Sequence, residues 1–163
     1  MIIGIVAVDR KWGIGKNNNL LFKLPKDMEF FRFTTRQSIV FCGYNTLLSF
    51  PGSKPLKGRS TICLCPEEID REDCYCIHNF DEAVKLVKEL SKTHDVFVIG
   101  GAMLYQSMLP YYDKVYVNKV YADGEATVFF PNLDDDSDFE VSYADNVEED
   151  NGYETQLVVY WRK

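Results

Sequence analysis

Apolar residues along the chain fall in short blocks, many of them β-branched, separated by polar stretches. Ile2 to Val8 is almost continuously apolar, the pattern of a central strand buried on both faces. Val96 to Ile99 repeats it, ahead of Gly100 and Gly101. Ser38 to Gly43, Ser60 to Cys65 and Cys74 to Ile77 read as further strands. Lys114 to Tyr121 alternates with period two, Val115 and Val117 against Tyr116 and Asn118. Phe139 to Ala144 and Thr155 to Trp161 read as two antiparallel strands with a turn near Asn151-Gly152. Helical spacing occupies the gaps. Pro25 suits the first turn of a helix whose inner face is Met28, Phe31 and Thr35. Tyr44 to Phe50 is a short helix. Asn79-Phe80-Asp81-Glu82 has the form of a capping box and opens a helix to Lys92, with Phe80, Val84, Val87 and Leu90 inward. Met103, Leu104, Met108 and Leu109 fall near helical spacing until Pro110. Strands and helices alternate through residue 121 and antiparallel strands follow. The expectation is one α/β domain over residues 1–163.

The pattern breaks between Asp9 and Leu24. That stretch has no sustained period and holds Gly13, Gly15, Asn17, Asn18 and Asn19. Long structureless loops are uncommon in compact domains, so it reads as a mobile lid over a site, with a plain surface loop as the alternative. It lacks the third glycine of a dinucleotide fingerprint, and no Walker-type phosphate loop occurs in the chain.

Charge sharpens the picture. The net charge is −7, but residues 1–60 carry ten Lys/Arg against three Asp/Glu, and residues 134–154 carry ten Asp/Glu and no Lys/Arg. A small anionic ligand near the N-terminal third fits this asymmetry, and broad nucleic-acid binding does not. The acidic stretch reads as a solvated loop and strand edge. No apolar run reaches the ~20 residues of a membrane span, and the N-terminus lacks the form of a signal peptide, so a cytoplasmic protein is expected. Cys63, Cys65, Cys74 and Cys76 form two Cys-x-Cys pairs, with Cys42 apart. Spacing two in strands means one face, and free cysteines bury readily, so neither metal nor disulfide is expected.

Three positions can carry chemistry. The strand, glycine pair and helix from Val96 to Pro110 offer close backbone approach and unpaired N–H groups to an anion; the alternative is a tight turn with nothing bound. Asp27 lies on the apolar side of its helix, four residues before Phe31. Either it is a first-turn residue helped by the helix dipole, or it is the polar floor of an apolar pocket. Arg59, at a strand entrance, can fork a carboxylate or stay solvated.

With these pieces placed, the chain resembles the dihydrofolate reductase family over essentially its whole length. The motifs, in order, are Ile5-Val6-Ala7, Gly13-Ile14-Gly15-Lys16-Asn17, Leu24-Pro25-x-Asp27 with Phe31, Gly43-x-x-Thr46, Pro55-Leu56-x-Gly58-Arg59, Ile99-Gly100-Gly101 with Tyr105, Phe130-Pro131 and the closing Val-Val-Tyr-Trp-Arg. The resemblance implies a central eight-stranded mixed sheet flanked by about four helices. It implies hydride transfer from NADPH, with NADH as the alternative donor, to dihydrofolate, giving the tetrahydrofolate of one-carbon metabolism. It further implies a monomer with no nucleic-acid or membrane partner. Asp27 would be the only carboxylate in the pterin pocket, orienting the ring and promoting protonation of the imine nitrogen, the proton arriving through water. Arg59 matches the clamp for the α-carboxylate of the glutamate tail. Ile5, Met28, Phe31, Phe50 and Leu56 match the apolar substrate wall, with Asn118 beside Asp27. Ala7, Ile14, Gly15, Leu20 and Thr46 match cofactor contacts, joined by Gly43, Tyr44, Asn45, Leu64 and Cys65. The turn from Ile99 through Gly100, Gly101, Ala102 and Met103 to Leu104 and Tyr105 completes the cofactor set. In the family the bond between its two glycines is cis.

Four departures stand out. Leu21-Phe22 replaces the usual Pro-Trp, which removes an indole N–H. Asn118 stands where most members have threonine, which implies altered antifolate affinity. Tyr44, Pro66 and Met103, with Glu67 and Glu68 nearby, occupy positions where NADPH-selective members carry basic or hydroxyl groups; Asn45 and His78 remain as candidate contacts to the adenosine end, with His78 otherwise read as an exposed loop residue. Ala126-Thr127 replaces Gly-Asp in the loop that supports the lid, so looser closure is expected. A same-fold pyrimidine reductase is the rival enzyme, against which Asp27 and Arg59 together argue. A non-catalytic ligand-binding scaffold is the rival of another class.

Overall fold

A computed structural model describes residues 1–163. Strand β1 (Ile2–Val8) is central, as its continuous apolar run requires. Parallel neighbours flank it: β6 (Val96–Gly100) on one side and β7 (Lys114–Val120) on the other. Beyond β6 the parallel sheet continues through β3 (Ile39–Gly43), β4 (Ser60–Leu64) and β5 (Tyr75–Ile77). Beyond β7 lies the long antiparallel β11 (Tyr153–Arg162). The outer side of β11 is shared by β9 (Phe139–Ala144) and β10 (Glu148–Asp150). Nine strands therefore fill eight positions, the mixed sheet that the resemblance implies.

Alternation along β1 divides the core. Ile2, Val6 and Val8 join a cluster that includes Val84 and Val87 of α3 (Phe80–Leu90) and Leu104 and Tyr105 of α4 (Ala102–Ser107). Ile3 and Ile5 join the opposite cluster, with Leu47 of α2 (Tyr44–Ser49). Phe30 and Phe31 of α1 (Pro25–Thr35) pack on that second cluster. The expected cap of α3 forms, Asn79 Oδ1 accepting from the Glu82 N–H at 3.1 Å.

Two expectations change. The turn at Asn151-Gly152, with φ of 52° and 88°, joins β11 to β10 rather than to β9. Strand β10 is short and acidic, so no apolar alternation announces it. On α1, Met28 is 51 % exposed while Phe30 packs edge-on against Tyr116 at 5.8 Å. The inward stripe is Asp27, Phe30, Phe31, Thr34 and Thr35, because i, i+3, i+4 neighbours follow the sheet contact at Tyr116 and Met28 lies about 100° round from Asp27.

The stretch 9–24 is partly structured. Within it, β2 (Gly13–Gly15) pairs with β8 (Val128–Phe129). Buried Asp9 anchors this stretch: Oδ1 accepts from Lys11 and Gly13 N–H groups at 2.8 and 2.7 Å, and Oδ2 from Gly124 N–H at 3.0 Å. Thr127 N–H donates to Gly15 O at 2.9 Å. Thr127 thus ties its loop by one backbone bond to the end of β2. The tip of the stretch, where Asn17 and Asn18 take φ of 53° and 62°, is exposed.

Candidate active site

The first turn of α1 is built from two distant pieces of chain. Pro25 has no N–H, and Leu24 before it offers no side-chain cap. Asp150, from β10, supplies one: Oδ1 accepts from Lys26 N–H at 3.2 Å and Oδ2 from Asp27 N–H at 3.1 Å. The Asp27 side chain projects from this turn, half-buried. Its Oδ1 accepts from Asn118 Nδ2 at 3.0 Å, so the amide expected to donate to Asp27 does so across α1 and β7. Burial pushes the Asp27 pKa up, the Asn118 bond pulls it down, and the Asp150 carboxylate pushes it up again; the balance lies above the ordinary value. Ile5, Phe31, Phe50 and Leu56 share one apolar cluster on this side of the sheet, as expected. Phe30, outside the inner face expected from the spacing, joins it. Met28, exposed on α1, is not part of it.

Arg59 lies at the other end of α1. Nε donates to Thr35 Oγ1 at 3.1 Å, Nη1 to Lys57 O at 2.6 Å and Nη2 to Arg32 O at 2.7 Å. A guanidinium has five N–H groups, so one remains on each terminal nitrogen, the pair that forks a carboxylate. The surrounding groove encloses about 520 Å³ and carries Arg32, Arg36, Lys57 and Arg59 against a single acid, Glu29. None of the four cations has a carboxylate partner. Burial, and then the Arg32 charge, lower the Arg59 pKa. Arg32 and Arg36 have no apolar or motif context in the sequence; only the helix surface brings them beside Arg59.

The glycine turn forms a third feature. The Gly100–Gly101 bond is cis and Gly100 has φ of 120°. A Cβ at Gly43 would come 3.9 Å from Gly100 O and Gly101 N, and one at Gly101 would come 3.3 Å from Thr46 Oγ1. Helices α2 and α4 start here, at Gly43 and Gly101, and neither start has a side-chain cap. Backbone donors, a hydroxyl and absent Cβ atoms therefore meet in one cradle suited to a diphosphate. Leu64 is beside Gly43 in register. Other expected contacts differ in placement. Leu104 and Tyr105 turn into the core, and Tyr105 Oη donates to Ile5 O at 2.8 Å. Leu20 and Met103 stand in solvent, 83 % and 85 % exposed. Ala7 and Ile14 are half-buried and Gly15 is paired in β2.

Just after the edge strand β5, the exposed His78 places Nδ1 3.0 Å from Pro66 O. Arg71, near Tyr44, is held by both oxygens of Asp73 at 2.9 and 2.7 Å. The cysteines are all free thiols, Cys65 and Cys76 only 3.5 Å apart, and burial raises the Cys65 and Cys74 pKa values. Phe22 packs its ring on Tyr153 at 4.8 Å.

A family model described as dihydrofolate reductase matches residues 1–162. The chain is 31 % identical over 159 residues to dihydrofolate reductase of Staphylococcus haemolyticus, covering 97 % of this chain and 93 % of that protein. It is 32 % identical over 178 residues to that of Schistosoma mansoni, covering 96 % and 93 %. A solved dihydrofolate reductase from Enterococcus faecalis, complexed with NADP(H) and RAB-propyl, superposes with a TM-score of 0.86 at 26 % identity, covering 100 % of this chain and 96 % of that one.

Proposed function

This chain belongs to the dihydrofolate reductase family, and on that premise we propose how its own residues carry the reaction. It is an oxidoreductase that reduces dihydrofolate to tetrahydrofolate with NADPH. Bound NADPH supplies the hydride.

Asp27 anchors the pterin. Asn118 takes one lone pair of Oδ1, so Oδ1 and Oδ2 together can still accept from the N–H groups of the ring amino group and its neighbouring ring nitrogen. This fixes the ring in plane and favours a proton on the imine nitrogen beside the carbon that receives the hydride. Asp27 grips the far edge of the ring, so the proton reaches that nitrogen through water. Ile5, Phe31, Phe50 and Leu56 supply the apolar wall, with Phe30 behind them. Arg59 holds the glutamate carboxylate on its two free N–H groups. The Gly43, Thr46 and Gly100–Gly101 cradle fits the cofactor diphosphate. All these groups lie within one chain, so the reading needs no residue from a partner subunit. The net charge of −7 supports the absence of a nucleic-acid partner. No helix is long and apolar enough to cross a membrane.

The observation that carries the assignment of roles is the half-buried Asp27 with its Asn118 partner on the apolar side of α1. The test follows loss of reduced-nicotinamide absorbance on adding dihydrofolate, with NADPH and NADH in parallel, for wild type and Asp27→Asn. Turnover should collapse by about 100-fold or more in the variant. Retention of wild-type turnover would remove Asp27 from the mechanism. The ratio between the two cofactors tests what Tyr44, Met103, Glu67 and Glu68 do to phosphate selection.

A further inference from the structure

The first turn of α1 involves two carboxylates, and substrate binding accounts for only one. Asp150 is 2 % exposed and has no cationic partner. Both of its oxygens are used by the Lys26 and Asp27 N–H groups. Its neighbours grip the same segment: Glu149 O accepts from Lys26 Nζ at 2.5 Å, and Asn151 Nδ2 donates to Lys23 O at 2.9 Å. Three consecutive hairpin residues thus hold the junction between the lid and the helix that carries Asp27. A local cap at residue 24 would do for the helix alone, yet that position holds a buried leucine.

The arrangement has an electrical consequence. The helix N–H groups that would favour an ionised Asp27 are directed to Asp150 instead, and Asp150 adds a like charge beside it. The other groups facing Asp27 do not offset this. From β7 comes the uncharged amide of Asn118, with the Tyr116 ring beside it on Phe30. From α4 comes the phenol of Tyr105, raised by burial and then by Asp27. Asp145 and Glu148 line a cavity of about 80 Å³ with Asp27 and Lys26. Lys26 is the one cation there, and its ammonium is directed to Glu149 O.

We propose that Asp150 is a positioning residue for the reductase reaction: it fixes the turn that presents Asp27 and, by its charge, sets the pH at which Asp27 works. This rests on Asp27 as the pterin anchor. With the Asp150 charge in place, the Asp27–pterin unit keeps its proton to higher pH.

The experiment uses the full chain with Asp150→Asn, Asp150→Ser and Asp150→Glu. Asn and Ser keep a neutral cap, and Glu keeps the charge. Three readouts are taken: the pH dependence of kcat/KM with NADPH, the carbon-13 titration of the Asp27 carboxyl in protein without substrate, and Tm. In both neutral variants the Asp27 titration and the basic limb of kcat/KM should move down by about one pH unit, with Asp150→Glu closer to wild type. A fall in Tm with both pH readouts unmoved would overturn the proposal and leave Asp150 a structural cap. A carboxyl titration that moves while the kcat/KM limb stays fixed would overturn its role in the reaction. Wild-type turnover by Asp27→Asn would instead overturn the reading of Asp27 itself. If neither neutral variant folds, the wild-type carbon-13 titration decides: an inflection of the Asp27 curve at the pH where the Asp150 carboxyl titrates supports the proposal, and an Asp27 curve with no such inflection overturns it.

Discussion

Replacing Arg59 with alanine isolates the outer end of the substrate site. Three of the five guanidinium N–H groups are fixed by Thr35 Oγ1, Lys57 O and Arg32 O, so the remaining pair is held in place before substrate arrives. A charge-assisted bond of this kind contributes roughly 1.5–3 kcal/mol, which converts to a rise in KM for dihydrofolate of about 10- to 150-fold. The glutamate tail does not change during hydride transfer, so this contact stabilises ground and transition states alike. kcat should therefore stay within about twofold of wild type. Steady-state kinetics at saturating NADPH measure both quantities. The difference in KM should shrink as salt rises, because Arg32, Arg36 and Lys57 make the groove strongly cationic. Loss of the contacts to Arg32 O and Thr35 should also lower Tm by about 2–4 °C, the shift expected for roughly 1 kcal/mol in a chain of this size. An unchanged KM, or a kcat that falls by the factor expected of KM, would refute the clamp.

Asp27→Asn should stabilise the ligand-free protein at neutral pH. Burial holds the folded Asp27 pKa above 3.8, so the favourable contribution of its proton is present below 3.8 and is lost as pH rises through the folded value. Urea unfolding at pH 7 and at pH 3 checks this, and a variant no more stable than its parent at pH 7 would count against it. Gly101→Ala places a Cβ 3.3 Å from Thr46 Oγ1 inside the diphosphate cradle, and should raise the NADPH Kd about tenfold with little change in KM for dihydrofolate, as read by fluorescence titration. Gly152→Ala meets nothing within 4 Å but must adopt φ of +88°; its cost of about 1 kcal/mol should appear in Tm alone. Asn118→Thr shortens the donor beside Asp27 and should change diaminopyrimidine antifolate affinity; equal inhibitor binding by the two proteins would show that the amide is not sensed.

Much of the molecule is local in origin and could be read before folding. Ile2–Val8 and Val96–Gly100 are strands because β-branched runs fit a sheet covered on both faces, and Asn79 caps α3 because its side chain reaches the Glu82 N–H. Asp27, Arg59 and Gly100–Gly101 were visible as a carboxylate on an apolar helix face, an arginine at a strand entrance and a glycine pair after a strand. What each does was legible only through the ordered motifs taken together. The tertiary structure decided the rest, because it rests on contacts between residues far apart in the chain. Phe30 rather than Met28 turns inward because Tyr116 of β7 receives it. Arg59 becomes a fixed fork only when the last turn of α1 offers it Arg32 O and Thr35. Asp150 lies in an acidic run that reads as solvated surface, yet folding buries it against a helix start 123 residues away. Local periodicity encodes which face of an element is apolar. It carries no information about which unpaired N–H group a distant carboxylate will satisfy, and that pairing sets the charge around Asp27.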